Sequence, residues 1–461
     1  METSSVILSP KRQKLDGGEE MEGRRKKLFD LPDEILLAII SLLETKDAIR
    51  TSILSKRWEY LWTSIPKLEF RHQPSTPRST MWNIVERALL LRGPADIKVF
   101  ELNFPVLGDA CRVKAWISAA LRRNVQELYI YLHGLQGQFS LPHSLFTNTT
   151  LTVCELDIPF PIKVPSTACF SSLKNLSLRS VVFSDDSAQH LFSGCPVLEE
   201  LYLKNCIWLN NKFVSICSPK LLTLFINESD MILPGGSDGC QIMIYEVSLQ
   251  SFCYSGELQN EYCFYDSSSS KKAEIHLSYD SNKNLRHAGY RLYKLLRGLT
   301  SMEGLTFSSY NAFRVVVDNA PELLSKMPMF NNLTTFVLED AAFIDDKALL
   351  TMLQYFPHLE TLIFVEGFGL SPEWVEDEGV LEPLPPCFLS HLKGIEVAEF
   401  NGDQYNELNA VRILLKNAKV LKKLDISWSE YFTARAEQKA EITKQVFDFP
   451  RASGSCEVVL R

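Results

Sequence analysis

The chain has 461 residues, 46% hydrophobic and 23% charged, with 48 Lys and Arg against 56 Asp and Glu for a net charge of −8. That much apolar material builds a large core without disulfide staples, and the acidic balance argues against a general nucleic-acid binder, whose affinity comes from cations on phosphates. Eleven cysteines with no C-x-x-C pair and no apolar leader point to a reducing intracellular compartment, nucleus or cytoplasm, and the longest apolar run, 35–40, is far short of the roughly 20 residues that cross a bilayer.

Residues 1–28 lack hydrophobic periodicity and read as a disordered tail. Two basic clusters, Lys11-Arg12 and Arg24-Arg25-Lys26-Lys27, are spaced like a bipartite nuclear import signal. A charged, solubilising leader explains them equally well.

From 29 to 70 the pattern changes. Leu31, Ile35, Leu36, Ile39 and Leu43 recur at helical spacing, with Pro32 suited to a first helical turn. Thr45 and Ser55 are placed to cap two more helices, one carrying Ala48, Ile49, Ile53 and Leu54, the other Trp58, Leu61 and Trp62. So small a three-helix unit cannot bury all of these side chains by itself, which leaves apolar surface for a partner.

The runs Leu31-Pro32-Asp33-Glu34-Ile35-Leu36, Ser52-Ile53-Leu54-Ser55-Lys56-Arg57-Trp58 and Tyr60-Leu61-Trp62 resemble an F-box. That resemblance implies docking on a Skp-type adaptor through Leu31, Pro32, Ile35, Leu36 and Trp58. Through the adaptor it implies a cullin and a RING subunit, and hence a substrate receptor of a ubiquitin ligase.

Over 95–364 the unit L-x-x-L-x-L recurs, for example at Ile97/Phe100/Leu102, Val125/Leu128/Ile130, Val153/Leu156/Ile158, Leu198/Leu201/Leu203, Leu221/Leu224/Ile226 and Leu333/Phe336/Leu338, with a degenerate copy around Ile275 and Leu277. Two longer stretches repeat as well: Phe183-Ser184-Asp185-Asp186-Ser187-Ala188 and Phe343-Ile344-Asp345-Asp346-Lys347-Ala348. Each unit reads as a short strand, a turn and a helical return segment, such as 187–192 or 347–356, which gains its core by stacking on its neighbours. The Asp pairs precede those helices, where capping accounts for them better than a metal does.

The repeats resemble the irregular leucine-rich repeats of plant F-box proteins, which implies an α/β solenoid with a curved parallel sheet. Strand alternation then turns Tyr129, Tyr131, Arg179, Tyr202, Lys204, Phe225, Asn227, Val337, Glu339, Ile363 and Val365 away from the core. Tyr129, Tyr131, Tyr202, Phe225 and Ile363 are candidates for a substrate-binding surface, unless loops cover them.

Residues 365–382, with six acidic side chains and no basic one, read as a linker. Beyond it, over 383–461, Pro385-Pro386-Cys387, Ser390-His391-Leu392-Lys393, Leu414-Leu415-Lys416-Asn417-Ala418 and Phe449-Pro450-Arg451 resemble the FBD domain of the same plant family. Cys387 and His391 fit a core better than a ligand set. No catalytic motif is present, and no cofactor, metal, nucleic acid or membrane is expected. The sequence thus reads as a non-catalytic receptor for a protein substrate. Two alternatives share its architecture: a small-molecule-dependent co-receptor, disfavoured by the lack of clustered cations on the repeat strands, and a ubiquitin-independent scaffold.

Overall fold

The computed structural model describes residues 31–93, 95–136, 139–209, 211–228, 239–245, 249–265, 271–278, 285–308, 311–371, 381–403, 406–433 and 435–461. The expected tail, with Lys11, Arg12, Arg24, Arg25, Lys26 and Lys27, lies outside them, as does 372–380 of the acidic segment. The chain divides into two compact units, 1–65 and 66–461.

In the first unit, α1 spans Asp33–Ser41 and α2 spans Thr45–Arg50. Asp33 and Glu34 occupy the first turn of α1, where negative charge suits the helix dipole. Arg57 ties the later chain to that turn, donating from Nη2 to the Leu31 carbonyl at 2.6 Å and from Nε to Asp33 Oδ1 at 2.8 Å. The third helix expected from Ser55 is instead a series of turns followed by a 3₁₀ segment, Leu61–Ser64. Threonine hydroxyls bridge these tight turns: Thr51 Oγ1 donates to the Ala48 carbonyl and Thr63 Oγ1 to the Tyr60 carbonyl, each three residues back.

The second unit is built on one parallel sheet that, among the described residues, has 15 strands in chain order. They are β1 (Lys67–Arg71), β2 (Val99–Leu107), β3 (Glu127–Gln136), β4 (Val153–Asp157), β5 (Asn175–Arg179), β6 (Glu200–Lys204), β7 (Thr223–Asn227), β8 (Ser251–Gly256), β9 (Lys272–Leu277), β10 (Gly304–Phe307), β11 (Thr335–Leu338), β12 (Thr361–Phe364), β13 (Gly394–Phe400), β14 (Lys423–Trp428) and β15 (Glu457–Leu460). The degenerate copy around Ile275 and Leu277 is β9, with Ala273 standing where its neighbours carry Leu or Phe. Pairing runs directly from β12 to β13, so the 383–461 segment supplies the last three strands of the same sheet.

Side chains alternate as the period-two pattern requires. Leu201 and Leu203 of β6, or Leu224 and Ile226 of β7, are buried on the packed face, and the residues between them stand half-buried on the open face. In β4 the copy is offset by two from the expected Val153/Leu156/Ile158. Cys154 pairs with Leu128 and Leu176, and Leu151 fills the leading position. An even offset leaves the faces unchanged.

The return segments are helical at Ser187–Ser193 and Lys347–Leu353, as the duplicated stretches predict. Asp346 caps the second, accepting from Ala348 N at 2.8 Å and Leu349 N at 3.2 Å. Asp186 stands at the same place before the first and makes no such bond. Behind β6, β7 and β8 the return path is extended instead, and Phe213–Cys217, Gln241–Tyr245 and Glu261–Tyr265 form a second parallel sheet. Their alternating apolar and aromatic side chains have the period of a strand rather than that of a helix.

Between β7 and β8 the junction is polar but closed. Glu228, 2% exposed, accepts hydrogen bonds from Tyr254 Oη, Tyr262 Oη, Asn260 Nδ2 and Gln259 N. Gly256 has φ +146°, and a Cβ there would lie 2.8 Å from Glu228 Cβ, so the close approach requires glycine.

Candidate functional site

The parallel register sets one open-face residue of each strand side by side. Tyr129 of β3, Glu155 of β4, Ser177 of β5, Tyr202 of β6, Phe225 of β7, Cys253 of β8 and Glu274 of β9 form a continuous row. The next row holds Tyr131, Asp157, Arg179, Lys204, Asn227, Ser255 and His276.

Small Ser177 lies between larger neighbours, and there the face sinks into a groove of about 460 Å³. Its walls are Tyr129 on one side and Tyr202 with Phe225 on the other, whose ring centroids are 6.0 Å apart. At a strand spacing of about 4.8 Å, the backbones carrying Tyr129 and Tyr202 stand about 14 Å apart. Glu155, Arg179, Lys204 and Asn227 supply polar edges.

Three of the five expected substrate-binding residues, Tyr129, Tyr202 and Phe225, therefore share one groove. Tyr131 is half-buried in the adjoining row, while Ile363 stands in the Tyr129 row but on β12, between Val337 and Glu396. Neither lines the groove. Strand alternation applied to 153–157 and 272–277 would have picked out Glu155, Glu274 and His276, which sequence reasoning passed over.

The electrostatics are mixed. Arg179 and Lys204 are register partners on adjacent strands, so cations do cluster on the repeat strands, contrary to the expectation from sequence. They lie 25 residues apart in sequence and meet only through pairing. Glu155 offsets part of this charge, 3.1 Å from Arg179. Tyr129 Oη donates to Glu127 at 3.0 Å and Tyr202 Oη to Glu200 at 3.2 Å. Burial, then the nearby glutamates, push the Tyr129 and Tyr131 hydroxyls up to about 12, so both remain protonated donors at neutral pH.

The first unit offers a different surface. Pro32 and Ile35 are exposed and Leu31 is half-buried, whereas Leu36 and Trp58 are closed to solvent at 0% and 2%. Leu36 and Trp58 thus belong to the packed interior. The apolar groups open to a partner include Ile35, Leu42, Leu43, Ile53, Leu54 and Tyr60, with Leu42 and Ile53 about as exposed as a side chain gets, at 87% and 86%. Leu42, Leu43, Ile53, Leu54 and Tyr60 are absent from the expected adaptor set, which the F-box resemblance implied without regard to which side chains stay open to solvent.

Cys387 is buried, and the His391 ring packs edge-on against His358 at 4.8 Å. All eleven cysteines carry free thiols. Among the described residues, no helix is long and apolar enough to cross a membrane.

Comparison with known proteins places families on three stretches. A family model described as F-box domain matches residues 28–70, one described as FBD-associated F-box protein At5g56370, LRR repeats, matches 113–249, and one described as FBD matches 382–426. Every groove residue falls inside the 113–249 match. Among curated relatives from Arabidopsis thaliana, F-box/FBD/LRR-repeat protein At5g56420 is 28% identical over 95% of this chain and 100% of its own. Putative FBD-associated F-box protein At3g50710 is 30% identical over 94% and 99%. Putative F-box protein At3g58860 is 30% identical over 89% and 100%.

Proposed function

The chain belongs to the plant F-box/FBD/LRR-repeat family, and from that premise we propose that it is the substrate-recognition subunit of a Skp-cullin-F-box ubiquitin ligase. The F-box docks on the Skp adaptor, which brings cullin and RING subunits, and the open face of the sheet binds a protein substrate. Ubiquitin chemistry then resides on other subunits, and this chain supplies binding alone.

The observation that carries the reading is the pairing of two distinct surfaces on one chain. Large apolar side chains stand in water on a small helical unit matched as an F-box. A groove with an aromatic wall and a polar edge lies on the repeats. Buried aromatic anchors beside one or two charged groups are the usual energetic centre of a protein interface. The groove suits a segment that inserts an apolar or aromatic side chain against Tyr202 and Phe225 and sets a carboxylate beside Lys204.

A second reading rests on the same pair of cations. About 460 Å³ is within the range of small-ligand sites, and Arg179 with Lys204 suits an anionic group, so a small molecule would fill the groove and complete the substrate surface. Affinity capture followed by mass spectrometry separates the two. Substrate retained on purified protein in the absence of small molecules supports the direct receptor. Substrate retained only after addition of a cell metabolite extract supports the co-receptor, and capture of partners with no Skp adaptor among them contradicts both.

A further inference from the structure

Beyond the groove, the same face carries a cluster that neither reading uses. Cys253 of β8 and Glu274 of β9 are register partners, and His276 lies two residues further along β9 on the same side. One side-chain ligand atom from each of Cys253, Glu274 and His276 lies within 4.8 Å of the other two. Ligand atoms of a tetrahedral Zn²⁺ site are about 3.3–3.8 Å apart, given bonds of about 2.0–2.3 Å, so small side-chain rotations close the set.

The surroundings favour a cation. His276 Nδ1 is 3.1 Å from Glu339 Oε2. Ser308 follows β10, which lies between β9, carrying His276, and β11, which Glu339 follows, and its hydroxyl accepts a hydrogen bond from Leu277 N. A carboxylate hydrogen-bonded to the imidazole is the usual support of a zinc-bound histidine.

We propose that Cys253, Glu274 and His276 bind one Zn²⁺ on the open face of the sheet, with Glu339 orienting the imidazole and a fourth coordination position left for water or a side chain of a bound protein. A thiolate, an imidazole and a carboxylate together select a borderline-soft ion over Mg²⁺ or Ca²⁺. In the row, Cys253 follows Phe225, so the ion would sit one strand beyond the aromatic wall of the groove. The site does not depend on the ligase reading, since its ligands come from this chain alone.

The test uses the full-length chain and the metal itself. Zn²⁺ titrated against a chromophoric chelator should show a competing site that Glu274→Ala and His276→Ala abolish and Glu339→Gln weakens about 10- to 100-fold. Co²⁺ in place of zinc should give a thiolate-to-cobalt charge-transfer band that disappears in Cys253→Ser and persists in Cys217→Ser. Glu274 is exposed, so its variant keeps the fold and decides the matter even where another variant does not. A missing cobalt band in the wild type, a band that survives Cys253→Ser, or zinc affinity unchanged in Glu274→Ala overturns the proposal.

Discussion

Asp186 and Asp346 occupy equivalent places in two copies of one repeated segment, and only Asp346 bonds to the exposed amides of its helix. It also pairs with Arg314. Asp346→Ala should therefore cost about 1–2 kcal/mol in denaturant unfolding, and Asp186→Ala less than about 0.5 kcal/mol. Equal effects would show that position alone, without the bonds, supplies the cap. Thiols make a second contrast. Burial pushes Cys195, Cys206 and Cys387 up to about 12, while Cys111 and Cys169 are exposed. Alkylation of the native protein near pH 8 with mass-spectrometric readout should modify Cys111 and Cys169 first, because only the thiolate reacts and a buried thiol keeps its proton there. Early labelling at Cys206 would mean that its repeat opens.

Single elements decide how much of the architecture was legible in the sequence. Strands with regular apolar spacing are readable because each buries the same two positions against the return segments. β1 escapes the sequence reading although Ile65, Leu68 and Phe70 carry the same spacing, because those residues fall within 29–70, the stretch that resembles the F-box. β15 was missed because Ser455 stands where the leading apolar residue belongs. The groove was half legible. Alternation named Tyr129, Tyr202 and Phe225, but the hollow at Ser177 and the pairing of Arg179 with Lys204 exist only once strands are in register. Tyr202→Ala and Phe225→Ala should each weaken substrate capture by about 1–3 kcal/mol and leave folding unchanged, since both side chains are only half-buried in the free protein. A drop in unfolding temperature as large as that of a core deletion would place them in the interior instead. At the junction of β7 and β8, Glu228→Ala removes the acceptor of four donors and should cost about 3 kcal/mol by the same unfolding measurement. A cost near zero would mean that water replaces the carboxylate without penalty.

The proposed function gives separate jobs to the two units, 1–65 and 66–461. In the helical unit Leu36 and Trp58 are buried and Ile35, Leu42, Ile53 and Leu54 exposed, while the repeats gain their core from neighbour to neighbour along the sheet. Changes at the exposed set should therefore remove adaptor binding without touching the stability of the sheet. The most direct measurement is calorimetric binding of a Skp adaptor to the wild type and to a triple variant, Pro32→Ala with Ile35→Ala and Ile53→Ala, alongside thermal unfolding of both. The wild type should bind, the variant should bind at least about a hundredfold more weakly, a loss of about 2.8 kcal/mol, and the unfolding transition of 66–461 should stay in place. A folded wild-type protein that binds no Skp adaptor, or a variant that binds as tightly as the wild type, would contradict the proposed function.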